Sequence, residues 1–326
     1  TNTLFHRDPM STNTKQERID RFTSEFNAVV KNIGKVIKGK DEIIELLLTA
    51  LVANGHVMLL DLPGTGKTML VKSIAASIQC NFKRIQFTPD LLPMDITGSN
   101  MFNMRSKSFD FQPGPVFTNI LLADEINRAS PKTQSALLEV MAERQVTVEG
   151  KTHELAPPFL VVATMNPLDA QQGTYQLPAA QLDRFSMQLS MGFPPPDAEM
   201  TILDVHLSQR PILKDLKPVI TIERFIEWQA LVPMIFLSEE LKEYLIELVN
   251  LIRSDSSCLT PPSPRATLML AKIAQAHAMV HGRDFVTPQD IQKTAALVLS
   301  HRLSITGSQS RSAYIQDCLL KIAEPK

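Results

Sequence analysis

The chain is poor in the features that mark several protein classes. Its 326 residues include three cysteines, Cys80, Cys258 and Cys318, which are odd in number, far apart and without metal-ligand spacing. That argues against a disulfide framework or a zinc module and fits reduced thiols in a cytosol-like, cytoplasmic compartment. No sign of charge dominates: 33 Lys and Arg against 34 Asp and Glu leave a formal net charge of −1. Global electrostatics therefore gives no reason to expect nucleic acid as a partner. The richest apolar stretch, Leu46 to Leu60, is interrupted by Asn54, Gly55 and His56 and is too short to span a bilayer. The polar first dozen or so residues have no apolar core that could serve as a signal peptide, so residues 1–16 are expected to form a loose tail. Internal repeats, low-complexity tracts and a guanine-reading Asn-Lys-x-Asp motif are absent. What remains, 44% hydrophobic and 21% charged residues, is ordinary for a globular protein. The length favours two domains.

Against that plain background one stretch stands out: Asp61-Leu62-Pro63-Gly64-Thr65-Gly66-Lys67-Thr68. It follows the apolar run Val57 to Leu60 and precedes an apolar-periodic segment starting at Met69. A strand, a tight glycine-bearing loop and a helix in that order turn backbone N–H groups and a helix N-terminus toward a polyphosphate. Pro63, Gly64, Thr65, Gly66 and Met69 form or border the cradle. Lys67 reaches the terminal phosphates, and the Thr68 hydroxyl can hold Mg2+. The strict pattern has glycine at the first position, where this chain has Asp61.

Periodicity organises the rest. An amphipathic helix is predicted from Ile19 to Ile33, ended by Gly34, and a second from Asp41 to Val52. Strands are predicted at His56 to Leu60, Phe82 to Phe87, Asn119 to Asp124, Phe159 to Thr164 and Met187 to Met191. Helices between them are predicted at Met69 to Ile78, Lys132 to Arg144 and Pro178 to Arg184. Such alternation predicts an α/β domain with a doubly wound parallel sheet. Two hairpins are expected, one around Arg105-Ser106-Lys107-Ser108 and one around Glu149-Gly150-Lys151. Pro194-Pro195-Pro196 marks a boundary between residues 17–195 and an all-helical region at 196–326. Helices are expected there at Asp197 to Gln209, Ile222 to Leu231, Ser238 to Ser254, Arg265 to His281 and Pro288 to Leu303. Thr287 caps the last of these, with Pro288 at its first position.

Two acids, Asp124 and Glu125, end a buried-type strand downstream of the loop. Asp124 is placed to hold Mg2+ and Glu125 to orient and polarise an attacking water. At the end of the next apolar strand, Asn166 is placed beside the terminal phosphate or the lytic water, although Asn166-Pro167 also suits a turn.

This constellation resembles the AAA+ ATPases, and within them the MoxR family. The narrower likeness rests on Asp124-Glu125-Ile126-Asn127-Arg128-Ala129 followed by Pro131 to Glu139, Gly173 to Pro178, Ala180 to Phe185, Ser263-Pro264-Arg265-Ala266, and Gly282-Arg283 through His301-Arg302-Leu303. It covers roughly residues 18 to 305. Asp61 is tolerated in that family, and Ala179 stands where an acid is usual. The resemblance implies an AAA+ phosphate-loop domain followed by a helical lid, with Mg2+-dependent binding and hydrolysis of ATP. Arg184 matches the arginine finger that serves a neighbouring subunit's nucleotide. Arg265 matches the sensor-2 arginine, expected to reach the terminal phosphate of its own chain. Ile37 and Gly39 match the segment lining the adenine. Arg128 stands open between touching a neighbour and sensing hydrolysis. The two hairpins match family inserts that project toward a central pore or the substrate. The implied role is a chaperone-like remodeller or activator of client protein complexes. It would act as a homo-oligomeric, hexameric ring with a partner bearing a von Willebrand factor A domain. A clamp-loader-like or nucleic-acid-tracking subunit is the alternative: Arg105 and Lys107 at a hairpin tip favour it, and the near-neutral charge opposes it. A monomeric phosphotransferase fits less well, because such enzymes rarely carry the strand-end Asn and the Asp-Arg-Phe finger together.

Overall fold

The computed structural model describes residues 12–166, 174–207, 213 and 216–325. Residues 1–11 of the expected tail, Pro167, Gly173 and the expected helix end at 208–209 lie outside the described residues. Helix α1 (Thr12–Gly34) already begins within the stretch expected to be a loose tail. Helix α2 (Asp41–Val52) matches expectation, as does strand β1 (His56–Leu60). Helix α3 (Lys67–Ser77) starts on the loop lysine itself, and β2 (Phe82–Gln86) follows.

A short helix α4 (Pro93–Thr97) leads into the first hairpin, β3 (Gly98–Asn103) and β4 (Ser108–Pro113). Strand β5 (Ile120–Asp124) is buried at every position. Helix α5 (Pro131–Glu143) is started by Ser130, whose hydroxyl accepts from Thr133 N. Its buried face holds Leu137, Leu138, Val140 and Met141, while Ala136 is only half-buried. The second hairpin is β6 (Gln145–Val148) and β7 (Lys151–Glu154), joined through Glu149 and Gly150, both at positive φ. Strand β8 (Leu160–Met165), helix α6 (Ala179–Leu182) and strand β9 (Phe185–Leu189) complete the domain. The sequence places β9 two residues too late and α6 too long. Pro178 and the turn at Asp183 leave room for little more than one helical turn.

Beyond Pro195 come α7 (Pro196–Leu207), α8 (Ile222–Leu231) and α9 (Glu239–Ser254). This region is not all-helical. Strand β10 (Cys258–Thr260) precedes α10 (Pro264–Val280) and α11 (Pro288–Leu299), and pairs with β11 (Ser304–Ile305). A further helix, α12 (Arg311–Leu319), lies past the last predicted one. Thr287 is the N-cap of α11 as expected, and it also forms a capping box with Asp290, the Thr287 N–H donating to the Asp290 carboxylate at 2.8 Å.

The main sheet has the order β2-β5-β8-β1-β9, with every pair parallel. Alternate residues of its central strands feed two separate clusters. Val57 and Leu59 join the α1, α2 and α3 side, whereas Met58, Leu121 and Ala123 join the α5 and hairpin side. Strands covered on both faces are apolar throughout, which is why β5 and β8 read as continuous runs. The first cluster continues into the helical region. Trp228 of α8 packs edge-on against Phe22 of α1 at 5.0 Å between ring centroids, and its indole N–H donates to Glu25.

His56 fastens the start of β1. Val161 N donates to its Nδ1 at 3.0 Å, and its Nε2 lies 3.1 Å from the Met141 carbonyl, so the ring is neutral with the proton on Nε2. Burial pushes its pKa down to about 4. The unfolded chain, with histidines near 6.5, therefore binds more protons than the fold between about 4 and 6.5. The contribution is full above that window and is lost as pH falls through it, worth at most about 3 kcal/mol. Buried His301 shifts the same way. The thermal midpoint is expected to fall as pH drops across this window, and His56→Gln to flatten part of the decline. A midpoint unchanged across the window would contradict a buried neutral His56.

Candidate functional site

The C-terminal end of β1 opens into the glycine-bearing loop. Gly64 and Gly66 have φ of +83° and +88°, and a Cβ built on either meets no atom within 4 Å. The backbone thus turns in a way that favours glycine, and the loop's inner side stays open. Helix α3 begins without a side-chain cap, so its first N–H groups have no partner inside the helix. They face a cleft of about 420 Å³ lined by residues 63–69. Lys67 Nζ donates to the carbonyls of Asp61 at 3.0 Å and Leu62 at 2.8 Å. Burial lowers its pKa, against the opposing pull of Asp61, Asp124 and Glu125.

The opposite wall carries Asp124, Glu125 and Asn166. Thr164, one step before the end of β8, ties the two acids together. Its hydroxyl donates to Asp124 Oδ1 at 2.6 Å and accepts from Glu125 N at 2.9 Å. Glu125 adopts the left-handed region, φ 56° and ψ 51°, which is costly for a non-glycine residue and typical of functional positions.

Strand β2 supplies two cleft residues that the sequence reading missed. Arg84 Nε and Nη2 donate to Asp124 Oδ2 at 3.0 and 2.6 Å, and Gln86 Nε2 donates to Glu125 Oε2 at 2.9 Å. Arg128 pairs with the same Glu125 oxygen at 3.0 Å. The available signal was Arg84-Ile85-Gln86: polar, buried, polar, at the C-terminal end of the strand whose Gln86 lies opposite Asp124.

A second cavity of about 450 Å³ adjoins the first and shares Gly64, Thr65, Gly66 and Met69 with it. Val36 and Ile37 form one side, Met191, Phe193 and Pro194 the other, and Ile202 of α7 closes it. Gly39 is not on this wall. At φ +66° it packs so closely that a Cβ would lie 2.9 Å from Pro195 Cγ, so its smallness serves packing rather than ligand contact.

Arg184 and Arg265 stand elsewhere. Strand β9 runs parallel to β1 with Phe185 opposite His56, so Arg184 lies beyond the N-terminal edge of the sheet. The phosphate loop lies beyond the other edge, about 16 Å away along the strand. Arg184 Nε donates to the Leu138 carbonyl at 3.0 Å. Its neighbour Asp183 pairs with Arg302 at 2.8 Å and not with Arg184. Arg265 begins α10, two residues after Ser263, whose hydroxyl donates to the same Asp183. Arg265 is exposed and shares an electrostatic environment with His56 and Arg302. Arg265 does not line the phosphate cleft of its own chain, and the Ser263–Asp183 bond ties the start of α10 to the far edge of the sheet.

A phosphate cradle, a lysine, two strand-end acids and a strand-end Asn on this sheet order define a P-loop ATPase of the AAA+ class. Residues 56–187 match the family model described as ATPase family associated with various cellular activities, and residues 259–317 match that of the AAA lid domain. Bacillus subtilis YeaC is 50% identical over 276 residues, 85% of this chain and 86% of that one. Chaperone MoxR1 of Mycobacterium tuberculosis is 39% identical, covering 84% and 74%. A crystal structure of a candidate ATPase from Cytophaga hutchinsonii superposes with TM-score 0.88 at 34% identity over 96% of this chain and 99% of that one. The chain belongs to the MoxR family of AAA+ ATPases. Among the described residues, no helix is long and apolar enough to cross a membrane.

Proposed function

We propose that this chain hydrolyses Mg2+-bound ATP at the interfaces of a homo-oligomeric ring, hexameric by family analogy, and uses the cycle to remodel client protein complexes. One observation carries the reading. Lys67, Thr68, Asp124, Glu125 and Asn166 meet in one cleft, while Arg184 and Arg265 lie at the opposite edge of the sheet. Arginines so placed are suited to the nucleotide of another copy, and in this reading Arg265 joins Arg184 as a residue acting across the interface.

The open loop fits a triphosphate: unpaired N–H groups and Lys67 hold its charge. The adjoining apolar slot at Val36, Ile37 and Met191 fits the adenine. Thr68 and Asp124 offer a hydroxyl and a carboxylate for Mg2+. No group of three or more His, Cys, Asp or Glu is gathered among the described residues, so phosphate oxygens and waters would complete the metal's shell. When bound, the metal neutralises charge on the phosphates. Glu125 orients the attacking water, Asn166 positions it or the terminal phosphate, and an incoming Arg184 stabilises charge on the transferred group.

In this reading residues 17–195 form the nucleotide-binding unit and 196–326 the lid. Clients would meet the two hairpins, which act as one body. Asn100 donates to Glu149 at 2.7 Å, and Phe111 stacks on His153 at 3.9 Å between centroids. Near the tip of the first hairpin Met101, Phe102, Met104 and Phe109 are 60, 52, 82 and 67% exposed, an apolar patch that favours protein over nucleic acid. A partner bearing a von Willebrand factor A domain would supply client choice, in a cytoplasmic setting.

Lys67→Ala is expected to abolish nucleotide binding, measured by calorimetry. Glu125→Gln should bind ATP but turn it over far more slowly, and unchanged turnover would remove Glu125 from the mechanism. Arg184→Ala should keep binding and lose about 10³–10⁵ in rate. Mixing it with Glu125→Gln chains should restore part of the activity, and complete failure of complementation would argue against an interface role.

A further inference from the structure

Asp61, the departure from the phosphate-loop pattern, has no role in the chemistry above, yet it is 5% exposed and fully engaged. Its carboxylate accepts from Ser190 Oγ at 2.8 Å, Met191 N at 2.6 Å and Gly192 N at 3.0 Å. These residues follow β9 and carry the chain to Pro194. Gly192 turns there at φ +59°, which helps aim two successive N–H groups at one anion. From the other side, Lys40 Nζ donates to the carbonyls of Met191 and, at 2.6 Å, of Phe193. The segment is thus held through its N–H groups by Asp61 and through its carbonyls by Lys40.

This segment is also the wall of the base cavity, which Met191 and Phe193 line together with Gly64, Thr65 and Gly66. A glycine at position 61 would leave the two N–H groups and the hydroxyl without their acceptor. We propose that Asp61 is a positioning residue that ties the base-cavity wall to the phosphate loop, so that base and polyphosphate are received by one rigid unit. Bonds to a carboxylate are shorter and roughly twice as strong as neutral ones, which suits this fastening role. Asp61 touches neither base nor phosphate; it acts through Met191 and Phe193. The proposal rests on the ATP-binding reading and deepens it.

The test compares two ligands that share phosphates but not a base, ATP and inorganic tripolyphosphate, titrated with Mg2+ into the full chain by calorimetry. Wild type should bind ATP more tightly. Asp61→Gly and Asp61→Asn should weaken ATP by roughly tenfold while leaving tripolyphosphate within about twofold. Ser190→Ala, which removes one donor and leaves the loop sequence intact, should give a smaller loss confined to ATP. Equal losses for both ligands would assign Asp61 to loop shape alone and overturn the proposal. So would unchanged ATP affinity in all three variants, or no preference for ATP in wild type. Failure of wild type to bind either ligand would instead sink the ATP-binding reading itself.

Discussion

Parallel pairing of β1 with both β8 and β9 is the constraint on which the site depends. In a sheet whose strands all run one way, each strand end opens at one edge and each strand start at the other. The loop after β1, the acids ending β5 and Asn166 after β8 therefore meet, although other elements separate them in the chain. By the same rule, a residue that precedes β9 cannot join them. Arg184 is excluded from its own cleft by topology before any side-chain detail is considered. The Asp183–Arg302 pair then fixes that edge from within. Arg302 is 4% exposed and also donates to the Phe185 carbonyl at 2.5 Å, so the buried charge is paired and hydrogen-bonded.

Three charged groups of the cleft are matched by neighbours within the protein. Lys67 is held by loop carbonyls, Asp124 by Arg84 and Thr164, and Glu125 by Gln86 and Arg128. An unpaired buried charge would cost several kcal/mol, so a cleft built for a polyanion needs such internal partners. In the proposed mechanism the phosphates compete for Lys67, and the metal competes with Arg84 for Asp124. Binding then exchanges one set of charged contacts for another in a site whose dipoles are already in place.

The parts of this arrangement that were legible in the sequence are those written locally. The loop, the buried strands and the capped start of α11 each carry their signal within a few residues. Arg84 and Gln86 were not legible because their importance comes from register: they matter only once β2 lies beside β5 with Gln86 opposite Asp124. The location of Arg265 was hidden for a related reason. Its motif identifies the helix start, but the Ser263–Asp183–Arg302 network decides which edge of the sheet that start meets. The family resemblance gave Gly39 a ligand role, whereas its contacts with Pro195 and Ala198 show a packing requirement. Strands β10 and β11 escaped because pairs this short have too few residues to show alternation.

The helical region does not hang from the sheet by its linker alone. Phe22, Phe26 and Trp228 form one aromatic group across α1 and α8, Arg224 of α8 pairs with Glu25 at 2.7 Å, and His301 Nε2 lies 3.0 Å from the Phe185 carbonyl. With α8 to α12 sharing a core with α1 and α2, a hinge-like swing of the whole region would break buried apolar contacts worth about 25 cal/mol per Å². The contacts at the base cavity are of another kind. There α7 offers Glu199, exposed, and Ile202, half-buried, and the segment from Ser190 to Phe193 is held by hydrogen bonds to Asp61 and Lys40. This wall is thus held by charge-assisted hydrogen bonds to a buried carboxylate, where the helical region is held by apolar packing. Strand β9 joins the two edges: Asp183, paired with Arg302, stands two residues before it, and Ser190, bonded to Asp61, directly after it.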